Sequence, residues 1–280
     1  MVSPDIQTIA RQRWTVHYQI TPMADWNAER YHAVSTPQQA WGRRIVDRLA
    51  LQGFEHVLDI GCGTGRVTAE IAARVPAGRV VGIDRSAAML ETARPWLSER
   101  AAPVTLVRGD GAALPFQRAF DAVFSAATFH WVHDHGALFR SIIQALKPGG
   151  RLNAQCGGEG NLAVLKARAD RLVQQPRFAP YFDDWVEPTY YADAASTERR
   201  LAAAGFVDIN VWMEAAPTTF DGPDDFRQFI GNVCVREHVA RLLREDREAF
   251  LRELTVAAVA DTPPLTLDYW RLNIVAKRPA

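Results

Sequence analysis

The residues best suited to chemistry stand in the stretch VLDIGCGTGR, residues 57–66. Its glycines alternate with other residues, and the missing Cβ atoms let the backbone approach a ligand closely. If a helix begins there, its first N–H groups are free to bind that ligand. Asp59 precedes the first glycine by two positions, where its carboxylate would repel a pyrophosphate and attract an ammonium group. The stretch therefore favours S-adenosylmethionine, a nucleoside that carries an amino acid, over NAD or FAD.

The spacing of the glycines points the same way. The dinucleotide fingerprint is G-x-G-x-x-G, whereas this chain reads G-x-G-x-G. On these residues the sequence resembles the class I S-adenosylmethionine-dependent methyltransferases. The resemblance implies an α/β, Rossmann-like fold: a seven-stranded sheet with its last strand antiparallel, helices on both faces and a helical lid insertion. A structural glycine turn in some other α/β domain is the alternative.

Acidic residues at the ends of predicted strands would hold the cofactor. Asp84 stands roughly 20 residues beyond the glycines, where an acid can accept both ribose hydroxyls. The alternative for Asp84 is a helix cap, a place that Ser86 fills better. The resemblance implies that Asp110 accepts a hydrogen bond from the adenine amino group. It also implies that Asp59 holds the methionine ammonium, directly or through water. Met89 is either an adenine contact or a core residue. The predicted cofactor-binding set is Asp59, Gly61, Cys62, Gly63, Asp84, Arg85, Met89, Asp110, Gly111, Ala112, Ser125 and Tyr31.

The methyl acceptor is expected near residues 125–139, SAATFHWVHDHGALF. Its Phe129-His130-Trp131 resembles the pattern after the fourth strand in the group of trans-aconitate and juvenile hormone acid methyltransferases. That resemblance implies a carboxylate acceptor. His130 is the candidate catalytic residue, because it could donate to a carboxylate or act as a base toward a hydroxyl. The predicted substrate contacts are Trp26, Phe129, His130 and Trp131.

Two of these aromatic residues, Trp26 and Tyr31, precede the first predicted strand. The resemblance implies that this segment covers the cofactor, and aromatic ring faces would attract its sulfonium cation. Aromatic residues that anchor a terminal helix are the alternative. His130, His133 and His135 are spaced like metal ligands, but without a fourth ligand nearby we expect no metal.

Three functions stay open on the sequence. The first is methyl transfer to an oxygen, carboxylate or hydroxyl, of a small or medium-sized metabolite. The second is methyl transfer to nitrogen or carbon in the same fold. The third is a non-catalytic partner subunit that binds S-adenosylmethionine; the intact glycines and acids argue against it, whereas a pocket blocked by aromatic residues would favour it.

The elements that must position these residues alternate between strand and helix, which indicates a parallel sheet covered on both faces. The turn Lys147-Pro148-Gly149-Gly150 is expected to end a helix and precede a strand. Residues 266–276 alternate in polarity like a final edge strand. The predicted strands are 55–60, 79–84, 104–108, 119–125, 151–155, 206–213 and 266–276, and the predicted helices are 66–74, 87–99, 138–146 and 197–204.

We expect four segments along the chain. Residues 1–50 would form a helical segment over the cofactor, and residues 51–156 the cofactor-binding core. Residues 157–195, rich in aromatic residues and proline, and the helical segment 218–262 would form a lid over the substrate pocket. Embellishments that only pack on the core are the alternative. Residues 196–280 would complete the sheet around a helical insertion at 218–262.

The composition of the chain indicates which classes of binding partner to expect. The 280 residues carry 32 basic and 32 acidic side chains, so the basic surplus of a nucleic-acid-binding protein is missing. Charge clusters such as residues 241–247 are expected to be solvated helix faces. The sequence holds neither a leader-like N-terminus nor an apolar run of membrane-spanning length. Three scattered cysteines favour the cytoplasm. A small-molecule acceptor is therefore the expected partner, and the oligomeric state stays open.

Overall fold

The computed structural model describes residues 36–100 and 102–280. Seven strands form one sheet in the order β3-β2-β1-β4-β5-β9-β6, and β7 pairs with β8 in a separate ribbon. The strands are β1 (His56–Ile60), β2 (Arg79–Asp84), β3 (Val104–Arg108), β4 (Phe120–Ala126), β5 (Leu146–Gly157), β6 (Val207–Ala215), β7 (Thr218–Thr219), β8 (Thr266–Leu267) and β9 (Trp270–Lys277).

Helices cover the sheet and fill the long connections between its strands. A short 3₁₀ turn follows β3 and another follows β4, and a π-helical turn, Ile230–Cys234, joins two helices late in the chain. The α-helices are α1 (Thr36–Arg48), α2 (Arg66–Arg74), α3 (Ala87–Ser98), α4 (His135–Ala145), α5 (Ala163–Val173), α6 (Ala194–Ala204), α7 (Pro223–Phe229), α8 (Arg236–Arg241) and α9 (Arg244–Val259).

The sheet is buried on both faces, as its apolar strands require. Successive residues of β1 alternate between two hydrophobic clusters: Val57 packs with Ile45 of α1, whereas Leu58 packs in the cluster that holds Leu138 of α4. The first five strands run parallel, and β9 is antiparallel to both of its neighbours. The predicted α/β sheet with an antiparallel last strand is confirmed.

The order of the strands reverses between β1 and β4. The chain leaves β1 toward β2 and β3 on one side, and then returns to add β4 and β5 on the other. In open α/β sheets, ligands bind outside the carboxyl ends of the strands at such a switch point. The glycine-rich turn after β1 lies at this position.

Two details of the predicted sheet were wrong. The strand β5 begins at Leu146, so the Lys-Pro-Gly-Gly turn lies inside it rather than before it; a register shift opposite, between Phe120 and Ala122, accommodates the irregular residues. The strand β9 is internal, because β6 forms the edge of the sheet. The polar positions that suggested an edge are buried and hydrogen-bonded: Asn273 Oδ1 accepts from Gln155 Nε2 at 2.7 Å.

The two insertions, residues 157–195 and 218–262, pack on each other. They share one hydrophobic cluster, in which the rings of Phe178 and Phe250 meet edge to face at 5.4 Å. The first insertion also contains a helix, α5, which the sequence did not predict. We call the two insertions together the cap. The division of the chain into four segments stays a prediction, and residues 1–35 lie outside the described residues.

Across residues 36–100 and 102–280, every helix is too short or too polar to cross a lipid bilayer.

Candidate active site

A cavity of about 680 Å³ lies between the carboxyl ends of the first four strands and the cap. It brings together residues that the sequence predicted from separate strand ends. The predicted site residues that line it are Gly61, Gly63, Asp84, Arg85, Met89, Asp110, Gly111, Ala112 and Trp131. Trp26 and Tyr31 lie outside the described residues.

The glycine turn forms the floor of this cavity. All three glycines have left-handed backbone conformations, with φ of 73° at Gly61, 52° at Gly63 and 78° at Gly65. A Cβ at Gly61 would clash with Thr128, whereas no described atom lies within 4 Å of the position of a Cβ at Gly63. Because Gly63 lines the cavity, a side chain there would take space that a ligand could use. The open space at this turn agrees with the prediction that the protein backbone there lies close to a cofactor.

Asp84 is held in place by the backbone around it. Its Oδ2 accepts from the Gly63 N–H at 2.9 Å, and its Oδ1 accepts from the Ser86 N–H at 2.9 Å. Burial raises its pKa above the usual value. Ser86 caps α3 by accepting from the Met89 N–H at 3.2 Å, so the cap alternative for Asp84 is excluded. Asp84 therefore offers an oriented carboxylate to the cavity.

Asp110 lies two residues beyond the end of β3 and is also held by backbone. Its Oδ1 accepts from the Ala112 N–H at 2.8 Å and caps the short turn that follows. Met89 has both of the roles that the sequence left open, because its side chain is buried and also lines the cavity.

Asp59 lies beneath the turn instead of on the cavity wall. Its side chain is 2% exposed, and its Oδ2 accepts from the Thr68 hydroxyl at 2.7 Å. Burial, assisted by the nearby charge of Asp84, raises its pKa to about 7. The contact of Asp59 with a ligand's ammonium group, directly or through water, stays a prediction.

Three predicted residues point away from the cavity. The Cys62 side chain faces Gly82 of the neighbouring strand, and Ser125 Oγ donates to the Ile60 carbonyl at 2.8 Å. Phe129 is wholly buried in the core, where its ring meets Phe139 at 6.2 Å. The prediction that Phe129 contacts substrate is therefore wrong. For Cys62 and Ser125 the side chains are engaged elsewhere, and a contact of their backbone with the cofactor stays a prediction.

His130 stands just outside the cavity, behind Trp131. Its ring lies 5.3 Å from the Trp131 ring and 5.8 Å from the Tyr191 ring. Its Nδ1 accepts from the Gly157 N–H at 3.3 Å, so a neutral ring carries its proton on Nε2. Burial first, and then the charges of nearby groups that include Arg271 and Lys166, lower its pKa to about 3. His130 is therefore a neutral hydrogen-bond donor at pH 7.

Two cations share this corner with His130. Arg271 is 3% exposed, and its guanidinium lies 4.4 Å from the centre of the Trp41 ring. Lys166 Nζ pairs with the Glu187 carboxylate of the cap at 2.7 Å and lies 5.2 Å from the centre of the Tyr191 ring. We call His130, Lys166, Tyr191 and Arg271 the cationic cluster.

Sequence reasoning missed Arg271 and Lys166. Arg271 lies opposite Gly157 only because β9 pairs with β5, across more than a hundred residues of chain. The one local signal is an arginine at an otherwise buried position of β9. Lys166 is on α5, a helix that was not predicted.

The other two histidines of this segment have separate partners. His133 Nε2 lies 3.2 Å from the Pro188 carbonyl, and His135 Nε2 lies 3.0 Å from the Phe129 carbonyl. Burial lowers the pKa of His135. Within the part of the chain that the structure describes, no group of three His, Cys, Asp or Glu side chains is arranged to hold a metal ion.

The cap contributes part of the cavity wall. Trp185, Glu237 and Arg241 all line the cavity. Arg241 also pairs with Asp184, so its expected place on a solvated helix face was wrong. No local pattern in the sequence predicts this ion pair, because its two partners come from different insertions.

Comparisons with known proteins agree with this geometry. Residues 57–150 match a family model described as a methyltransferase domain. The chain is 29% identical over 271 residues to the trans-aconitate 2-methyltransferase of Methylobacterium radiotolerans, covering 91% of this chain and 99% of that protein. It is 27% identical over 259 residues to the trans-aconitate 2-methyltransferase of Deinococcus radiodurans, covering 91% and 98%.

Solved structures share the fold. The YcgJ protein of Bacillus subtilis superposes with a TM-score of 0.59 at 18% identity, covering 85% of this chain and 98% of that one. At this level of identity the likeness concerns the arrangement of the sheet and helices.

Proposed function

We propose, since this chain belongs to the family of class I S-adenosylmethionine-dependent methyltransferases, that it transfers the methyl group to a carboxylate oxygen of a small or medium-sized organic acid. The observation that carries the proposal is the cationic cluster beside the cavity. Arg271 lies opposite Gly157, whose N–H donates to His130 Nδ1, and Lys166 lies over the Tyr191 ring that packs beside His130, so both cations lie near the imidazole. An anionic acceptor would be attracted to that position.

The cofactor supplies an electrophilic methyl group on a sulfonium. Asp84 would accept from its ribose hydroxyls, Asp110 from its adenine amino group, and the backbone of Gly63 would lie against it. Asp59 would meet its ammonium group through water. These assignments stay predictions.

Methyl transfer needs the acceptor oxygen and the methyl group to be in line, and orientation can supply roughly 7–11 kcal/mol. A carboxylic acid, with an ordinary pKa of about 4, is already ionised at pH 7 and needs no base. His130 would donate its Nε2 proton to one oxygen of the carboxylate, and the two cations would hold its charge. The chain would thus act by positioning the acceptor.

The same groups disfavour the other acceptors. A hydroxyl must lose its proton, and His130, with a pKa of about 3, is a poor base at pH 7. An amine in its ammonium form would be repelled by Arg271. The non-catalytic alternative expected a blocked pocket, whereas a cavity of about 680 Å³ is present.

The first acceptor to test is trans-aconitate, which the relatives' name gives. The protein would be incubated with S-adenosylmethionine labelled in its methyl group and a panel of organic acids, hydroxyl compounds and amines. The products would then be treated with alkali, and volatile labelled methanol counted. Methanol from the organic acids supports the proposal, because methyl esters hydrolyse in alkali. Label that transfers but resists alkali would overturn it in favour of an ether, amine or carbon acceptor.

Two further expectations stay predictions. All three cysteines are free thiols, which agrees with a cytoplasmic location. The balanced charge agrees with the absence of a nucleic-acid partner.

A further inference from the structure

The cap contributes wall residues to the same cavity as the predicted adenosine residues. On the sheet side stand Asp84, Met89 and Asp110, and on the cap side Trp185 and Arg241. A cover for the acceptor alone would face the cationic cluster. These two cap residues instead share the cavity with the strand ends that would bind ribose and adenine.

Trp185 is fixed in position from several sides. Its ring lies 4.3 Å from the His238 ring and 5.6 Å from the Phe182 ring. The guanidinium of Arg241 lies 5.3 Å from the centre of its ring. Arg241 in turn pairs with Asp184 and donates to the Tyr181 carbonyl at 3.2 Å. The indole is therefore ordered by its neighbours before any ligand arrives.

The cap is also tied to the sheet side at this place. The Tyr190 N–H donates to the His130 carbonyl at 2.8 Å, and the Pro188 carbonyl lies 3.2 Å from His133 Nε2. These contacts hold the segment that carries Trp185 against the loop after β4, next to the cavity. The position of the indole relative to the strand ends is thus set by the fold.

We propose that Trp185, supported by Arg241, forms a wall of the adenosine site, so that the cap is a cofactor-binding element of this enzyme. A fixed indole offers a planar apolar surface, and purine bases bind to aromatic side chains by stacking. Arg241 keeps the indole in place through its cation–π contact and through the ion pair with Asp184. The proposal concerns the cofactor and is independent of which acceptor is methylated.

The test is calorimetric binding of two ligands, S-adenosylhomocysteine and 5′-methylthioadenosine, which lacks the amino acid. We expect Trp185→Ala to weaken both by the same factor, about tenfold, and Trp185→Phe to retain most of the affinity. Trp270→Ala is the matched control, because Trp270 is exposed and lies away from the cavity. Arg241→Gln, which keeps the Trp185 side chain but removes the cation that orders it, should weaken both ligands by about threefold.

The calorimetric results either support or overturn the proposal. Equal losses for the two ligands support the proposal, since they share the 5′-thioadenosine part and differ only in the amino-acid chain. Unchanged affinity for both ligands in a folded Trp185→Ala protein would overturn it, as would a loss for S-adenosylhomocysteine alone. If thermal unfolding shows that Trp185→Ala is not folded, Arg241→Gln becomes the test. Unchanged affinity of that variant for both ligands also overturns the proposal.

Discussion

The cofactor side and the acceptor side of this active site are built in opposite ways. On the cofactor side, the glycine turn, Asp84 and Asp110 follow directly from consecutive strands of one sheet. On the acceptor side, His130 meets Arg271 and Lys166, which come from the last strand and from the cap. The first side is fixed by local backbone geometry, and the second by long-range packing. Cofactor chemistry is therefore readable from short sequence patterns, while acceptor chemistry is not.

The strongest test of the local side is Asp84→Ala. The carboxylate would lose its ribose hydroxyls, and charged hydrogen bonds contribute about 1.5–3 kcal/mol each. We expect affinity for S-adenosylhomocysteine to fall about 100-fold in a calorimetric titration, and less in Asp84→Asn, which keeps an oxygen. Asp208→Ala, at an exposed carboxylate on β6, serves as the control. Unchanged affinity in Asp84→Ala would refute the ribose assignment.

A second substitution separates backbone strain from cofactor contact. Gly63 and Gly149 have φ of 52° and 72°, and at both positions a Cβ would meet no described atom within 4 Å. Alanine in this conformation costs about 1–2 kcal/mol of folding stability at either site. We expect Gly63→Ala alone to weaken cofactor binding, by about 30-fold, because its methyl group enters the cavity. Urea unfolding and calorimetry on both variants check this, and equal cofactor affinities would contradict it.

The proposed acceptor side, whose residues are brought together by long-range packing, is tested at Arg271. We expect Arg271→Leu to raise the KM of the acid acceptor by about 30-fold, because an ionic contact of about 2 kcal/mol is lost. Cofactor affinity should stay unchanged, and Arg271→Lys should recover part of the loss. Lys277→Leu, at the exposed far end of the same strand, is the control. A loss of cofactor affinity with an unchanged KM for the acid would show that Arg271 acts on the cofactor and not on the acceptor.

His130 distinguishes a donor from a base. With a pKa of about 3 it stays neutral throughout the range from pH 6 to 8. At saturating cofactor we therefore expect kcat to show no imidazole inflection over that range. His130→Phe should lower kcat by about fivefold, the contribution of one hydrogen bond of about 1 kcal/mol, and His130→Gln should restore part of it. An inflection near pH 6.5 that vanishes in His130→Phe would make His130 a base.

The smallest expected effect concerns Asp59. A pKa of about 7 leaves its carboxyl group about half protonated at pH 7. An arriving ammonium favours the carboxylate and lowers that pKa, so binding of S-adenosylhomocysteine should release about half a proton. Affinity should accordingly rise between pH 6 and 8. Calorimetry in buffers of different ionisation enthalpy measures the release. The same release with 5′-methylthioadenosine, which has no ammonium, would exclude Asp59 as its cause.

Most of the sheet could be predicted, because apolar runs, glycines and caps are local signals. The bounds of α2 and β3 agree with the prediction at both ends. The error at β9 has a physical cause: its polar alternate residues are buried and hydrogen-bonded to other strands, whereas alternation in sequence usually indicates exposure. Phe129 shows the same limit within the site, since the direction of its side chain is set by the 3₁₀ turn after β4 and by the core that packs around it.

The sequence by itself determined the cofactor, the sheet that binds it and the acids at its strand ends, because a strand, a turn and a helix in succession fix those positions within a few residues. Only the tertiary structure decided that Arg271 and Lys166 lie near His130 and that Trp185 lines the cavity. Those side chains come from elements far apart in the chain, such as α5 and β9, and their meeting depends on strand pairing and on the packing of the two insertions.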